Sequence, residues 1–240
     1  MNELNSYRYN AKTHVGLKRK VNEDSILALP QHDIWMVSDG MGGHAAGDYA
    51  SRLVADSVAM IPADLGPTDR MHALRQAIQQ AHRIILQESE DRGRGVIGAT
   101  VAALMMANGH FVALWAGDSR IYRLRDGEIE MLTTDHSAVA ALVMAGQMSW
   151  DEAEQHPQSN AITRAVGVGD ELELDKVRGE TRSGDRYLIC SDGLTKYATF
   201  NILKSALLKF PIETVSDELI HIALTGGGGD NISVIVVDVL

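Results

Sequence analysis

Residues 34–44 read IWMVSDGMGGH: an apolar run, Ile34-Trp35-Met36-Val37, closes on Ser38-Asp39, and glycines follow at Gly40, Gly42 and Gly43. Four consecutive apolar residues bounded by a turn signal suit a buried β-strand whose exit is marked by Asp39-Gly40. A carboxylate at a strand exit, beside backbone that lacks a Cβ, is a good place for a hard cation. Asp39 offers oxygens, and Gly40 lets a main-chain carbonyl come close. The plainer reading of the same residues is an ordinary Asp-Gly turn, and in isolation it would be preferred.

The pattern recurs, which changes the odds. The apolar run 110–116 ends in Gly117-Asp118-Ser119, and the run 186–190 ends in Ser191-Asp192-Gly193. A glycine run, 226–229, leads into Asp230-Asn231 and a last apolar strand over 232–239. Asp39, Asp118, Asp192 and Asp230 therefore each sit at one end of an apolar strand, most of them beside glycine. Strands lie side by side in sheets, so these carboxylates can gather at one rim. Unpaired carboxylates gathered there repel one another unless a multivalent cation neutralises them. An all-oxygen donor set favours Mg²⁺ or Mn²⁺ over zinc, which prefers histidine and cysteine, and the chain has no HExxH or CxxC pairing.

The remaining elements follow from periodicity. Ala50, Leu53, Val54 and Val58 mark one helical face, and Met71, Leu74, Ile78, Ala81 and Ile85 mark another over residues 68–90. His72 and His82 on that second helix read as surface residues. Asn108-Gly109 and Asp126-Gly127 each separate two strand-like runs, the signal of a two-residue hairpin. Three or four consecutive antiparallel strands are expected there. Residues 135–167 are polar, with short helices, Ser149…Glu152 as a capping box, and His136 and His156 read as surface histidines. Two helices are expected over 200–209 and 212–224.

Several functions are excluded. Gly93…Gly98 matches G-x-G-x-x-G, but it follows a helix and opens a strand, the reverse of a dinucleotide site. No lysine occurs between Lys20 and Lys176, so a kinase-type glycine loop lacks its partner. A net charge of −10 argues against a general nucleic-acid surface. The single cysteine, Cys190, forms no intramolecular disulfide and fits a reducing compartment. A cysteine phosphatase loop would need arginine at the position of Lys196, so Cys190 reads as a buried strand residue. The polar start of the sequence carries no signal-peptide core, and Asn108-Gly109-His110 interrupts the longest apolar region, 96–115. A soluble, cytoplasmic protein without nucleic-acid or membrane partners is expected.

The early segment 16–29 carries Lys18-Arg19-Lys20 and then Asn22-Glu23-Asp24. It reads either as a solvated charged loop or as a phosphate grip by Arg19, with Glu23 and Asp24 facing metal or its waters. Arginine suits phosphate because its planar fork donates two parallel hydrogen bonds.

The ordered set Arg19…Asn22-Glu23-Asp24, Asp39-Gly40-Met41-Gly42-Gly43-His44, Gly98-Ala99-Thr100, Gly117-Asp118-Ser119-Arg120, Ser191-Asp192-Gly193 and Gly229-Asp230-Asn231 resembles the metal-dependent protein phosphatases of the PP2C (PPM) class, in their compact bacterial form. Each motif alone is weak; six in the right order, from about residue 7 to residue 239, are specific. The resemblance implies an α+β fold, a four-layer α-β-β-α sandwich with two central antiparallel sheets flanked by helices, as a single domain over residues 1–240 with a flap-like segment at about 135–167. It implies hydrolysis of phosphoserine and phosphothreonine by direct attack of a metal-bridging hydroxide, using two Mn²⁺ or Mg²⁺ ions and a third, weaker one.

By motif position, the resemblance makes Asp39 the bridge between two ions and lets Asp192 and Asp230 complete one shell. The Gly40 carbonyl and Glu23 serve the other ion, and Asp24 acts through water. Asp118 with Asp192 holds the third ion, and Arg19 binds the substrate phosphate. His44 and Arg164 are further substrate-binding candidates. Met41 stands where eukaryotic members place a histidine, so the general acid is left unassigned. Phosphorylated proteins and a cognate Ser/Thr kinase are the expected partners of a monomer. Two other readings stay open: a catalytically silent phosphoprotein-binding regulator and a small-molecule phosphatase.

Overall fold

A computed structural model describes residues 7–42, 45–93 and 95–240. Its centre is two antiparallel sheets. One has the order β1 (Tyr7–His14), β11 (Ile232–Val239), β10 (Arg186–Cys190), β7 (Arg120–Arg125), β8 (Glu128–Met131). The other has the order β2 (Asp24–Leu29), β3 (Ile34–Met41), β5 (Val101–Ala107), β6 (His110–Ala116), β9 (Asp175–Glu180), with the short β4 (Gly98–Ala99) added to β3.

The apolar runs are continuous because both faces of each central strand are covered. Along β3, Trp35 and Val37 point between the sheets, where they join Leu104, Phe111, Tyr187 and Ile235. Ile34 and Met36 point outward against α1 (Ala45–Ala59) and α2 (Pro67–Arg92). The same alternation on β11 sends Ile235 and Val237 inward, and Val234 and Val236 toward α6 (Phe200–Lys209) and α7 (Val215–Gly226). A strand residue reverses face at every step, so a period-2 run that is apolar at every position needs a layer on each side. The four-layer sandwich follows.

Both two-residue turns form, with Asn108-Gly109 and Asp126-Gly127 at positive φ, as such hairpins require. The strands around them do not make one meander. β5 and β6 lie in one sheet and β7 and β8 in the other, the chain crossing at Gly117-Asp118-Ser119. That crossing carries Asp118 to the rim shared by the sheets. His82 is buried rather than on the surface, because the Gly167 N–H donates to its Nδ1 at 2.9 Å. The Ser149…Glu152 capping box forms at the start of α4 (Trp150–Ala153), which follows α3 (Ala140–Met144). No helix among the described residues is long and apolar enough to cross a membrane.

Candidate active site

Asp39 is the hub of the rim. Its N–H donates to Thr100 Oγ1 at 2.9 Å, and Thr100 N–H donates back to the Asp39 carbonyl at 2.8 Å. Across the β2–β3 ladder it faces Asp24. Gly40 follows, and no larger residue fits there: a Cβ would lie 2.1 Å from the Gly47 carbonyl oxygen and 2.6 Å from that of Glu23.

The second wall comes from the other sheet. Ser191 and Asp192 follow β10 and open the single turn α5 (Asp192–Thr195), with Gly193 packed on the Asn231 carbonyl so closely that a Cβ there would fall 1.8 Å away. This contact sets Asp192 beside Asp230. Asn231 also ties the Arg19 loop down. Its Oδ1 accepts from the Glu23 N–H at 2.8 Å, and its Nδ2 donates to the carbonyls of Val15 (2.9 Å) and Val21 (3.0 Å).

Together these elements enclose a cavity of about 300 Å³ onto which Arg19, Glu23, Asp39, Gly40, Asp118, Asp192 and Asp230 all open. Asp24 lies just behind it, 7% exposed, accepting from the Ser191 hydroxyl at 2.8 Å. Met41 lines the wall. Arg164 is not on the wall; its guanidinium is held by Asp175 (2.7 Å) and Glu173 (3.4 Å). The segment that carries it reaches the cavity instead through Asn160 and Ile162. His44 lies outside the described residues. Lys20 and Lys196 complete the lining without having been singled out from sequence; Lys196 had a local signal, sitting four residues after Asp192.

Charge in the cavity is divided unevenly. Burial, and then repulsion from Asp24, Asp192, Asp118 and Asp230, hold the Asp39 carboxyl well above the usual carboxylate range. Burial, with Asp192 and Asp135 nearby, does the same to Asp118. Burial pushes Asp24 up to about 7, its serine hydrogen bonds only partly offsetting that. Asp230 moves the other way: against the upward push of burial, Lys196 and Arg19 hold it below its ordinary value.

The donors on the rim are all oxygens of carboxylates and backbone, with two ammonium or guanidinium neighbours. Among the described residues, no cluster of three Asp, Glu, His or Cys side chains is closed tightly enough to hold an ion as it stands, so the carboxylates would share coordination with water. Mg²⁺ and similar hard ions are held by one or two carboxylates and keep several waters. The rim supplies that arrangement. Asp118 Oδ1 and Asp192 Oδ1 are buried oxygens with no hydrogen-bond partner, and burial, then neighbouring carboxylates, favour the protonated forms of Asp39 and Asp118. The residues fit hydrated Mn²⁺ or Mg²⁺.

A buried ionic cluster stands next to the cavity. Arg120 pairs bidentately with Asp135 (2.9 and 2.6 Å) and with Glu154 (2.8 Å), and lies over the Trp150 ring at 5.1 Å. It pins the segment 135–167 to the strand that Asp118 precedes. His136 is part of the same anchoring rather than a surface residue: its N–H donates to the Gly117 carbonyl at 2.9 Å, and the Gly117 N–H donates to its Nδ1 at 3.1 Å.

Residues 16–218 match the family Protein phosphatase 2C. The chain belongs to the protein phosphatase 2C family. Its fold is that of solved protein phosphatase domains. The serine/threonine protein phosphatase PstP of Mycobacterium tuberculosis is 38% identical over 97% of this chain, which spans 45% of that relative's length. The serine/threonine phosphatase stp of Listeria welshimeri is 36% identical over 95% of this chain and 94% of its own. Among solved structures, PppA, described as a key regulatory component of the T6SS in Pseudomonas aeruginosa, superposes with a TM-score of 0.90 at 41% identity, covering 98% of both chains. The catalytic domain of PstP in complex with two manganese ions superposes with a TM-score of 0.88 at 36% identity, again over 98% of both chains. In this protein phosphatase 2C domain the expected four-layer sandwich is therefore confirmed.

Proposed function

We propose that the chain removes phosphate from phosphoserine and phosphothreonine in proteins, with two Mn²⁺ or Mg²⁺ ions in the cavity. The observation that carries this reading is the convergence of Asp39, Asp118, Asp192 and Asp230 on one cavity beside Arg19. In this reading Asp39 serves both ions, Asp192 and Asp230 complete one shell, and the Gly40 carbonyl with Glu23 serves the other. Asp118 with Asp192 takes a third, weaker ion, and Asp24 acts through water. When bound, the ions supply an activated water and neutralise charge on the phosphoryl group.

The chain's own residues supply the positioning. Arg19 gives Asp230 its Nε (2.9 Å) and Nη2 (3.0 Å) and keeps further N–H donors for the phosphate. Thr100 and Asn231 hold the backbones from which Asp39 and Glu23 project. Asn160 and Ile162, from the flap-like segment, line the same cavity. Arg164 has no part in this scheme, being held by Asp175. The substrates are phosphoproteins, the opposing partner is a Ser/Thr kinase, and the domain acts as a cytoplasmic monomer.

The test is hydrolysis of a phosphothreonine peptide with Mn²⁺ and then with excess EDTA. Metal-dependent phosphate release supports the proposal. No release while Mn²⁺ still binds would favour a silent phosphoprotein-binding module or a small-molecule substrate. Absence of metal binding would overturn the reading of the aspartates.

A further inference from the structure

Asp192 and Asp230, assigned above to one ion, are not equally open to it. A carboxylate has about four lone-pair sites, and on Asp230 the donors fill them. Oδ1 accepts from Arg19 Nε (2.9 Å) and the Asn231 N–H (2.9 Å), and Oδ2 accepts from Arg19 Nη2 (3.0 Å) and Lys196 Nζ (3.2 Å). Asp192 gives only Oδ2 to Lys196, at 2.6 Å, and its Oδ1 has no partner. A cation can take Asp192 as it stands. It can take Asp230 only where a donor withdraws.

Of those donors, Arg19 is fixed by two parallel hydrogen bonds and Asn231 by the backbone. Lys196 makes the longest contact, and its ammonium rides on a flexible four-carbon stem. It follows α5, whose single turn brings Nζ back over Asp192. We propose, on the basis of the metal assignment above, that Lys196 is a resident counter-cation that gates Asp230: a divalent ion must displace its ammonium from Asp230 to complete the shell. Two consequences follow. Lys196 weakens divalent-ion binding, because it competes for the oxygen and because a positive charge beside the ion repels it in a partly desolvated cavity. It also steadies the acidic rim by offsetting part of the negative charge of the carboxylates it touches.

The experiment is calorimetric titration of Mn²⁺ into the purified wild type, Lys196→Met and Lys196→Arg, with thermal unfolding in EDTA alongside. Expected results are Mn²⁺ binding at least tenfold tighter in Lys196→Met, near wild-type affinity in Lys196→Arg, and a lower Tm for Lys196→Met in EDTA. Should Lys196→Met fail to fold, Lys196→Gln carries the same expectation. Affinity unchanged or weaker in the folded neutral variant, with the wild type binding normally, overturns the gate alone. A wild type that binds no Mn²⁺ overturns the metal assignment and the gate with it.

Discussion

Thr100 Oγ1 and Ser119 Oγ stand 2.7 Å apart, a buried hydroxyl pair that joins the two sheets directly behind the cavity. On one side Thr100 receives the Asp39 N–H; on the other, Ser119 follows Asp118 in the chain. The separation between those two carboxylates is thus held by two short side chains. Thr100→Val keeps the shape and removes the hydroxyl, leaving the Asp39 N–H without its acceptor. An unsatisfied buried group costs about 1–3 kcal/mol. Urea unfolding should show a loss of that size, and peptide hydrolysis a lower kcat; wild-type stability with wild-type kcat would show that the pair is not needed.

Asp39→Asn should abolish metal-dependent turnover while leaving the fold intact. It removes a charge that Asp24, Asp192, Asp118 and Asp230 all oppose, so Tm in EDTA should rise or hold. Circular dichroism and phosphate release check the two halves, and wild-type rates in this variant would break the metal assignment.

The raised carboxyls give a signed pH dependence. A carboxyl whose folded pKa exceeds its unfolded one binds more protons in the native state, so its contribution is present below the unfolded pKa and is lost as pH rises through the folded one. Asp24, near 7 when folded against an ordinary 3.8, sets the window, and Asp39 and Asp118 act in the same direction. Tm in EDTA should therefore fall between about pH 4 and pH 8. Saturating Mn²⁺ should flatten that slope. A Tm in EDTA that climbs over the same range contradicts the charge pattern described here.

Arg19→Ala should lower kcat/KM roughly tenfold to a hundredfold, mainly through KM, as loss of charge-assisted hydrogen bonds to the substrate phosphate. Steady-state kinetics decide it, and unchanged constants would remove Arg19 from phosphate binding.

Arg120→Met should be the most destabilising of these changes. Asp135 and Glu154 would keep their buried charges without the guanidinium between them, and breaking a buried pair from one side costs about 3–5 kcal/mol. Urea denaturation measures the loss; a loss under about 1 kcal/mol would mean that the carboxyls are accommodated by protonation or water.

The central strands were legible because their apolar runs are unbroken, and the acidic cavity was legible because three runs lead into an aspartate and a fourth starts just after one. Two of the four edge strands were not. β1 and β9 border solvent, so Arg8, Lys12, Lys176 and Arg178 interrupt any apolar signal, as protected sheet edges commonly do. His82 looked superficial because a helical pattern says nothing about a loop that arrives from residue 167. Asn160 and Ile162 reach the cavity by tertiary folding alone. Asn231 was visible as part of a motif, but its hydrogen bonds to residues more than 200 positions earlier leave no mark in local sequence.

The pairing of β1 with β11, in register from Tyr7–Val239 to His14–Ile232, bears on the order in which the domain can be made. Ribosomal synthesis delivers β1 first and its neighbour last. Until Asp230 and Asn231 emerge, the loop 15–23 has no anchor, β10 lacks one of its neighbours, and the cavity lacks a wall. Such distant partners must meet through slow, long-range closure. The nascent domain consequently lacks a complete cavity over most of its translation, and a premature stop shortly before residue 230 yields a chain with nearly all of its elements and an open-walled rim.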